Sequence, residues 1–369
     1  MSSFRTHGHV WGIHRVITPA YTLPQNAQKL DTRLPIFDNE ILIEVSQLQI
    51  DSASFHQLVG APLALHHTVS GLAAPNLGAR QAAPNLGTQQ AAPLRDHIHQ
   101  IIQTRGKMHN PVTDSGGVCL GKVIQIGPKH PLKEIFKVGD SIITLVSLTL
   151  TPLHIDAITH VDKSKERVDV TGHAILFASG LASKIPDDLP LGVTLAALDI
   201  CGAPAQAKRF VKEGSKVLII GLGKAGKSMA AMSQILGASV YGVDTSQEAV
   251  SWCQENLKGH FGLIDSTQTL KVHEWVHSQT RGTMADVVLH STNVPDTEMS
   301  GILSCREGGT VLFFGMNTSF QRVVLGTEGV GHDVHLVMGS GYVPGHAELM
   351  FNLLREHASL KKWFEERFT

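Results

Sequence analysis

Gly221-Leu222-Gly223-Lys224-Ala225-Gly226 is the stretch whose residue types and spacing most directly specify chemistry. In a G-x-G-x-x-G, the first glycine permits a tight turn. The second lets backbone approach a pyrophosphate, and the third lets a helix pack closely on the preceding strand. The helix that opens there turns its N–H groups and the positive end of its dipole toward phosphate. A glycine pattern alone is weak in a chain with 35 glycines, but its context is specific. The apolar run Lys216-Val217-Leu218-Ile219-Ile220 precedes it, a helical stretch Ala225 to Leu236 follows, and a second strand runs into Asp244. That carboxylate lies near the spacing of about 20 residues at which an acid binds the ribose hydroxyls. It also repels a 2′-phosphate, which selects NAD over NADP. Gly221, Gly223, Lys224, Ala225, Gly226 and Asp244 are therefore candidate NAD-binding residues.

A second motif competes for attention. His273-Glu274-Trp275-Val276-His277 spells the H-E-x-x-H of zinc metalloproteases, which places two histidines on one helix face. With 21 histidines in the chain, chance matches come easily. The segment also falls between the third and fourth strands of an alternating pattern, where a crossover helix is expected. Trp275 and Val276 are expected to pack on the sheet.

That alternating pattern positions the glycine motif. After Lys216–Ile220 come apolar strands at Ser239–Val243, Phe261–Ile264, Asp286–His290, Thr310–Phe314 and His335–Met338, separated by helical stretches. Strands alternating with helices imply βαβ units and a doubly wound parallel sheet, a Rossmann domain over 186–344. Ligands of such sheets sit outside the carboxyl ends of the strands, so Asn293 and Gly315 join the cofactor-binding candidates. A helical segment, 345–369, ends the chain. The first part, 1–185, reads differently. Short β-branched runs at Ile41–Val45, Lys122–Ile126 and Ser141–Val146, bounded by Gly, Asp and Pro turns, point to a β-rich domain. Within it, Ala73 to Gln81 recurs almost unchanged as Ala82 to Gln90 and begins again at Ala91. This low-complexity repeat loop, 73–93, reads as a loop expansion. A helix over Asp96–Thr104 follows.

Composition limits the function. The chain has 369 residues, enough for two domains, and 42% are hydrophobic. Its 31 Lys and Arg balance 32 Asp and Glu, which argues against a nucleic-acid surface or a polybasic membrane anchor. No apolar run approaches the roughly 20 residues of a membrane span. Cys119, Cys201, Cys253 and Cys305 are widely separated and read as reduced thiols of a cytoplasmic protein.

A β-rich domain followed by a Rossmann domain resembles the medium-chain dehydrogenase/reductase superfamily. Ile50-Asp51-Ser52-Ala53-Ser54-Phe55-His56, Gly121–Gly127 with Phe136–Asp140, and the glycine fingerprint carry the match. Longer stretches narrow it. Gly12–Ile17, Arg105–Thr113, Thr144–Leu153, Asp199–Gln206, Asn293–Ser300 and Leu325–Gly331 resemble the L-erythro-3,5-diaminohexanoate dehydrogenase family, over nearly the whole chain except the repeats. The resemblance implies a GroES-like catalytic domain, a dimer or tetramer, and a small diamino acid substrate. The implied reaction is NAD-dependent oxidation at the 3-amino carbon. It releases ammonia and 5-amino-3-oxohexanoate, in lysine fermentation. Asp51 stands where zinc-dependent members carry a cysteine ligand, and Gly116-Gly117-Val118 where they carry Gly-His-Glu. Asp199 lies near the third ligand position but out of register. No four-cysteine lobe follows Asp140. The chain is identified on this basis as a zinc-free member.

A substrate with two ammonium groups suits carboxylates better than a metal cation. Asp51 is the candidate ammonium anchor or base, with Ser52 and His14 as relay candidates. Asp199 is a second candidate ammonium partner, and Arg15 and Lys107 are candidates for the substrate carboxylate. Each has a plainer reading: Asp51 and Ser52 are turn formers, and the others ordinary structural or surface polar residues. Two further functions stay open, a zinc-free quinone or enoyl reductase using NAD(P)H and a catalytically inert NAD-binding protein.

Overall fold

A computed structural model describes residues 4–50, 55, 58, 94–110, 116–163, 166–315 and 317–369. Asp51, Ser52 and the repeat loop lie outside the described residues. The chain divides into two compact units, Met1–Ile185 and Pro186–Thr369.

The first unit holds a short hairpin, β1 (Val16–Thr18) with β2 (Lys29–Leu30), and a six-stranded sheet. The sheet comprises β3 (Ile41–Gln49), β4 (Val118–Ile126), β5 (Ser141–Thr144), β6 (Leu153–Asp162), β7 (Arg167–Leu176) and β8 (Ala182–Lys184). Their order is β6-β7-β3-β4-β5-β8, with every pairing antiparallel. Ile41, Ile43, Val45 and Leu48 of β3 are buried with Val123, Ile142 and Leu153. Helix α1 (Leu94–Arg105) covers this core with Ile98 and Ile102. The sequence reading did not resolve β6 and β7 as strands. They pair with each other through register shifts at Ile155/Ala157 and Ile158/His160. Such bulges interrupt the two-residue alternation by which a strand is recognised.

A buried charge cluster fastens the N-terminal segment to the start of β3. Arg15 and Glu40 are both fully buried. Arg15 Nε donates to Glu40 Oε1 at 2.6 Å and Nη2 to Oε2 at 2.7 Å, a bidentate pair. Nη1 donates to the carbonyls of Asp31 and Arg33. Glu40 also accepts from the Phe37 N–H and from His14 Nε2–H. Burial works to raise the Glu40 pKa, but the Arg15 guanidinium and the His14 and Phe37 donors outweigh it and hold the carboxyl below its ordinary value.

The second unit carries β9 (Lys216–Ile220), β10 (Ser239–Asp244), β11 (His260–Leu263), β12 (Ala285–His290), β13 (Cys305–Phe313) and β14 (His335–Met338). The order is β11-β10-β9-β12-β13-β14, all parallel. This is the doubly wound arrangement, with the order reversing between β9 and β12. Val217 to Ile220 are wholly buried, as expected of a central strand covered on both faces. The helices are α2 (Leu191–Asp199), α3 (Gly202–Phe210), α4 (Lys224–Ile235), α5 (Gln247–Asn256), α6 (Thr269–Thr280), α7 (Glu298–Leu303), α8 (Phe320–Val330), α9 (His346–Glu356) and α10 (Ala358–Phe368). The expected C-terminal helical stretch is thus two helices, parted at His357. They pack on α2, α3 and α4. The H-E-x-x-H segment lies in α6, the crossover from β11 to β12. Val272 and Val276 face the core, and His273 Nδ1 is 2.8 Å from the Leu303 carbonyl. Among the described residues no helix is long and apolar enough to cross a membrane.

Removing Glu40 strands the Arg15 charge inside the unit. Glu40→Ala is expected to lower stability by about 3–5 kcal/mol, measured by denaturant unfolding of the full chain. Because folding depresses the Glu40 pKa, its contribution is complete above the unfolded value of about 4.3. It is lost as pH falls from there through the folded value, so acid unfolding should shift to higher pH if the Arg15 pairing is weakened.

Candidate functional site

The site is built where β9 turns into α4. Gly221 has φ of 90°, which only glycine adopts without strain, and its N–H donates to the Val243 carbonyl. A methyl group on Gly226 would collide with the Gly221 carbonyl oxygen, whereas one on Gly223 would meet nothing. The three glycines thus divide their work as the motif requires: a turn, an open approach, and a tight helix–strand contact. Gly223 is the N-cap of α4, so the N–H groups of Lys224, Ala225 and Gly226 form the helix's first turn.

Asp244, at the carboxyl end of β10, holds this loop in place. Its Oδ2 accepts from the Leu222 N–H at 2.6 Å and its Oδ1 from the Ser246 N–H at 2.7 Å. Each carboxylate oxygen has a second lone pair for a ribose hydroxyl. Ser291, just after β12, donates through Oγ to the carbonyls of Gly221 and Ile220 and so fastens the far side of the loop. Leu222, Gly223, Lys224, Lys227, Asp244, Ser246, Glu248, Ala249, Trp363 and Arg367 line a cavity of about 230 Å³ beside it. A wider hollow of about 500 Å³ in the first unit, lined by Arg95, Asp96, His99 and Asp156, contains none of the residues expected to act.

At the ends of β12 and β13, Asn293 and Gly315 are neighbours. A side chain on Gly315 would meet the Thr292 carbonyl and Asn293 Oδ1. The carbonyl of Asn293 accepts from Asn317 Nδ2 at 2.8 Å. Beneath this loop His290 Nε2 is 2.9 Å from Thr297 Oγ1, which donates to the Val294 carbonyl. With that hydroxyl proton committed, Nε2–H is the donor to Thr297. Burial pushes the His290 pKa down to about 4, so the ring is neutral at physiological pH.

Two of the polar candidates, Arg15 and Lys107, take structural positions. Arg15 is buried against Glu40, so its guanidinium does not meet a solute in this structure. Lys107 is also fully buried, its Nζ donating to the carbonyls of Pro24 and Gln25 at 2.8 Å each. Asp199 pairs with Lys224 of the glycine motif at 2.6 Å, its side chain 68% exposed. His14 has both ring nitrogens engaged. Nδ1 accepts from the His9 N–H at 2.8 Å, which leaves the proton on Nε2 for Glu40. The ring therefore positions Glu40 and has no lone pair directed to a substrate. Asp51 and Ser52 lie outside the described residues.

Sequence reasoning missed Lys227, Trp363 and Arg367. Lys227 is buried on α4, donates to the Leu222 carbonyl, and lies 4.8 Å from the Trp363 ring centroid and 5.5 Å from that of Trp252. Burial lowers its pKa, against the opposing pull of Cys253 and Asp244. A lysine following G-x-G-x-x-G was visible, but the aromatic rings that receive it come from distant helices.

The residues present suit a nicotinamide dinucleotide: an open glycine for the pyrophosphate, a helix N-terminus, and a carboxylate at the ribose position. The sequence model described as the L-erythro-3,5-diaminohexanoate dehydrogenase N-terminal domain matches residues 14–70 and 79–186. The model described as zinc-binding dehydrogenase matches 221–340. An L-erythro-3,5-diaminohexanoate dehydrogenase of Acetoanaerobium sticklandii is 38% identical over 98% of this chain and 99% of its own. One from Fusobacterium nucleatum subsp. nucleatum is 39% identical over 97% and 98%. Among solved structures, the CurK enoyl reductase is similar in fold, with a TM-score of 0.52 at 16% identity over 93% of this chain and 86% of that one. An alcohol dehydrogenase from Thermotoga maritima has a TM-score of 0.50 at 16% identity, over 89% and 85%. The architecture is that of the medium-chain dehydrogenases and reductases, and, on its full-length identity to these relatives, the chain belongs to the L-erythro-3,5-diaminohexanoate dehydrogenase family.

Proposed function

We propose that the protein is an NAD-dependent dehydrogenase that oxidises L-erythro-3,5-diaminohexanoate at C3, releasing ammonia and 5-amino-3-oxohexanoate. Identity to two dehydrogenases of that name over almost the whole chain carries the substrate assignment. NAD rather than NADP is supported by Asp244, whose carboxylate lies at the ribose position and lines the pocket. A homo-oligomer is proposed on the superfamily resemblance. The 1–185 unit is proposed as the catalytic domain, and the Rossmann sheet of the other unit as the cofactor-binding one. The quinone and enoyl reductase reading rests on likeness of fold alone.

The reaction needs a proton removed from the 3-ammonium group, so that the nitrogen lone pair can expel the hydride from C3. A bound nicotinamide would supply the acceptor for that hydride. Water then adds to the resulting iminium carbon, and ammonia leaves to give the ketone. Asp51, with Ser52 beside it, is proposed as the carboxylate that anchors the ammonium and takes its proton. In the second unit, Gly221, Gly223 and the first turn of α4 would receive the pyrophosphate. Asp244 would orient the ribose, and Asn293 and Gly315 would border the nicotinamide end. The Glu40–His14 pair acts on the scaffold and not on the proton.

The purified protein should form NADH and ammonia from NAD and L-erythro-3,5-diaminohexanoate, with NADP a poorer oxidant. Absence of NADH with this diamine, in protein that binds NAD, would remove the substrate assignment. Asp51→Asn should lower kcat by at least about 100-fold while leaving NAD affinity unchanged by calorimetry, and unaltered kcat would take Asp51 out of the mechanism. Gly226→Ala forces α4 away from β9, so NAD should bind at least about tenfold more weakly in calorimetric titration.

A further inference from the structure

We propose that the C-terminal helix α10 forms the ribose-side wall of the cofactor pocket, and that Arg367, held in check by Glu248, is a specificity-determining residue between NAD and NADP. The inference rests on the assignment of the dinucleotide to this pocket and adds residues that the glycine motif does not contain. Trp363 and Arg367 of α10 line the same cavity as Gly223, Asp244 and Ser246. Helix α10 is fixed there by burial of Leu360, Trp363 and Phe364. A second tie comes from Lys227. Its ammonium faces the Trp363 ring while its Nζ donates to the Leu222 carbonyl of the glycine loop. The wall and the loop therefore share one side chain.

The charges along this wall are paired in a way that bears on a 2′-phosphate. Lys224 is bound to Asp199. Arg367 pairs with Glu248 in the first turn of α5 and also lies 4.9 Å from the Trp363 ring centroid. Its side chain is 41% exposed, so a ligand can reach it. As the pocket stands, a 2′-phosphate placed beside Asp244 meets two carboxylates, Asp244 and Glu248, and an arginine already neutralised by one of them. With Glu248 uncharged, the guanidinium has no carboxylate partner among the described residues and is available to a phosphate, for which its planar fork is suited. Discrimination against NADP is thus divided between Asp244, which binds the ribose, and Glu248, which acts through Arg367.

Calorimetric titration of the full chain with NAD and with NADP tests this. Glu248→Gln is expected to raise NADP affinity relative to NAD by roughly three- to tenfold at low ionic strength, an effect that added salt reduces. Adding Arg367→Ala to it should return the ratio to the starting value or below. An unchanged ratio in Glu248→Gln, or a ratio in the double variant equal to that of Glu248→Gln alone, overturns the proposal. Asp244→Ala separates the two levels of the argument. If it leaves NAD binding unaltered in folded protein, the dinucleotide does not occupy this pocket and both readings fall. If it weakens NAD while the Glu248 and Arg367 variants are silent, only the role of Arg367 falls.

Discussion

The second unit depends on one close approach, that of Gly226 to the carbonyl of Gly221. Because no side chain intervenes, α4 begins directly against the end of β9 and its N-terminus points along the edge where six parallel strands end. Everything that would hold a dinucleotide follows from that placement. The Leu222 N–H reaches the Asp244 carboxylate across to β10, and the Gly221 carbonyl receives Ser291 from the β12 side. The loop is therefore held from both neighbours of β9, at the place where the strand order reverses. A loop fixed on two sides loses little further entropy when it receives a ligand, which favours binding by a preformed site.

The first unit has a different constraint, the buried Arg15–Glu40 pair. A bidentate guanidinium–carboxylate contact removed from water is costly to form and still more costly to break. Here Glu40 receives donors from Arg15, His14 and Phe37, so its charge is compensated from several directions. This explains why residues with the right chemistry for a substrate proved structural. His14 and Arg15 lie in a stretch that resembles the family, and a residue type with two uses does not declare which one it serves. Nothing local in Gly12–Ile17 announces that a glutamate 25 positions later will bind Arg15. Lys107 was opaque for the same reason, since the carbonyls that receive it belong to Pro24 and Gln25.

The parallel sheet was the most legible part of the chain. Its central strand is buried on both faces, so Lys216–Ile220 stands out as written, and the glycine motif marks the first turn. The cofactor candidates were legible because backbone geometry itself selects glycine, and because one carboxylate at a fixed distance has a specific task. The antiparallel sheet was less so. Bulged registers blur β6 and β7, and half-exposed strands carry His, Asp and Thr among their apolar residues. Partnerships between distant helices, such as Lys227 with Trp363, leave no periodic trace at all.

The path of the last two helices accounts for how the second unit closes. Met350, Phe351, Leu353 and Leu354 of α9 and Leu360, Trp363 and Phe364 of α10 are buried, in helices that pack on α2, α3 and α4. At roughly 1.5–3 kcal/mol for each large apolar side chain removed from water, these seven side chains strongly favour that path. The C-terminal segment thus contributes no strand to the first sheet. The first unit completes six strands from its own residues, with β6 and β7 beside β3. The same burial places Arg367 of α10 on the wall of the cavity that Asp244 also lines. Packing that closes the second unit therefore also decides which charges line that cavity.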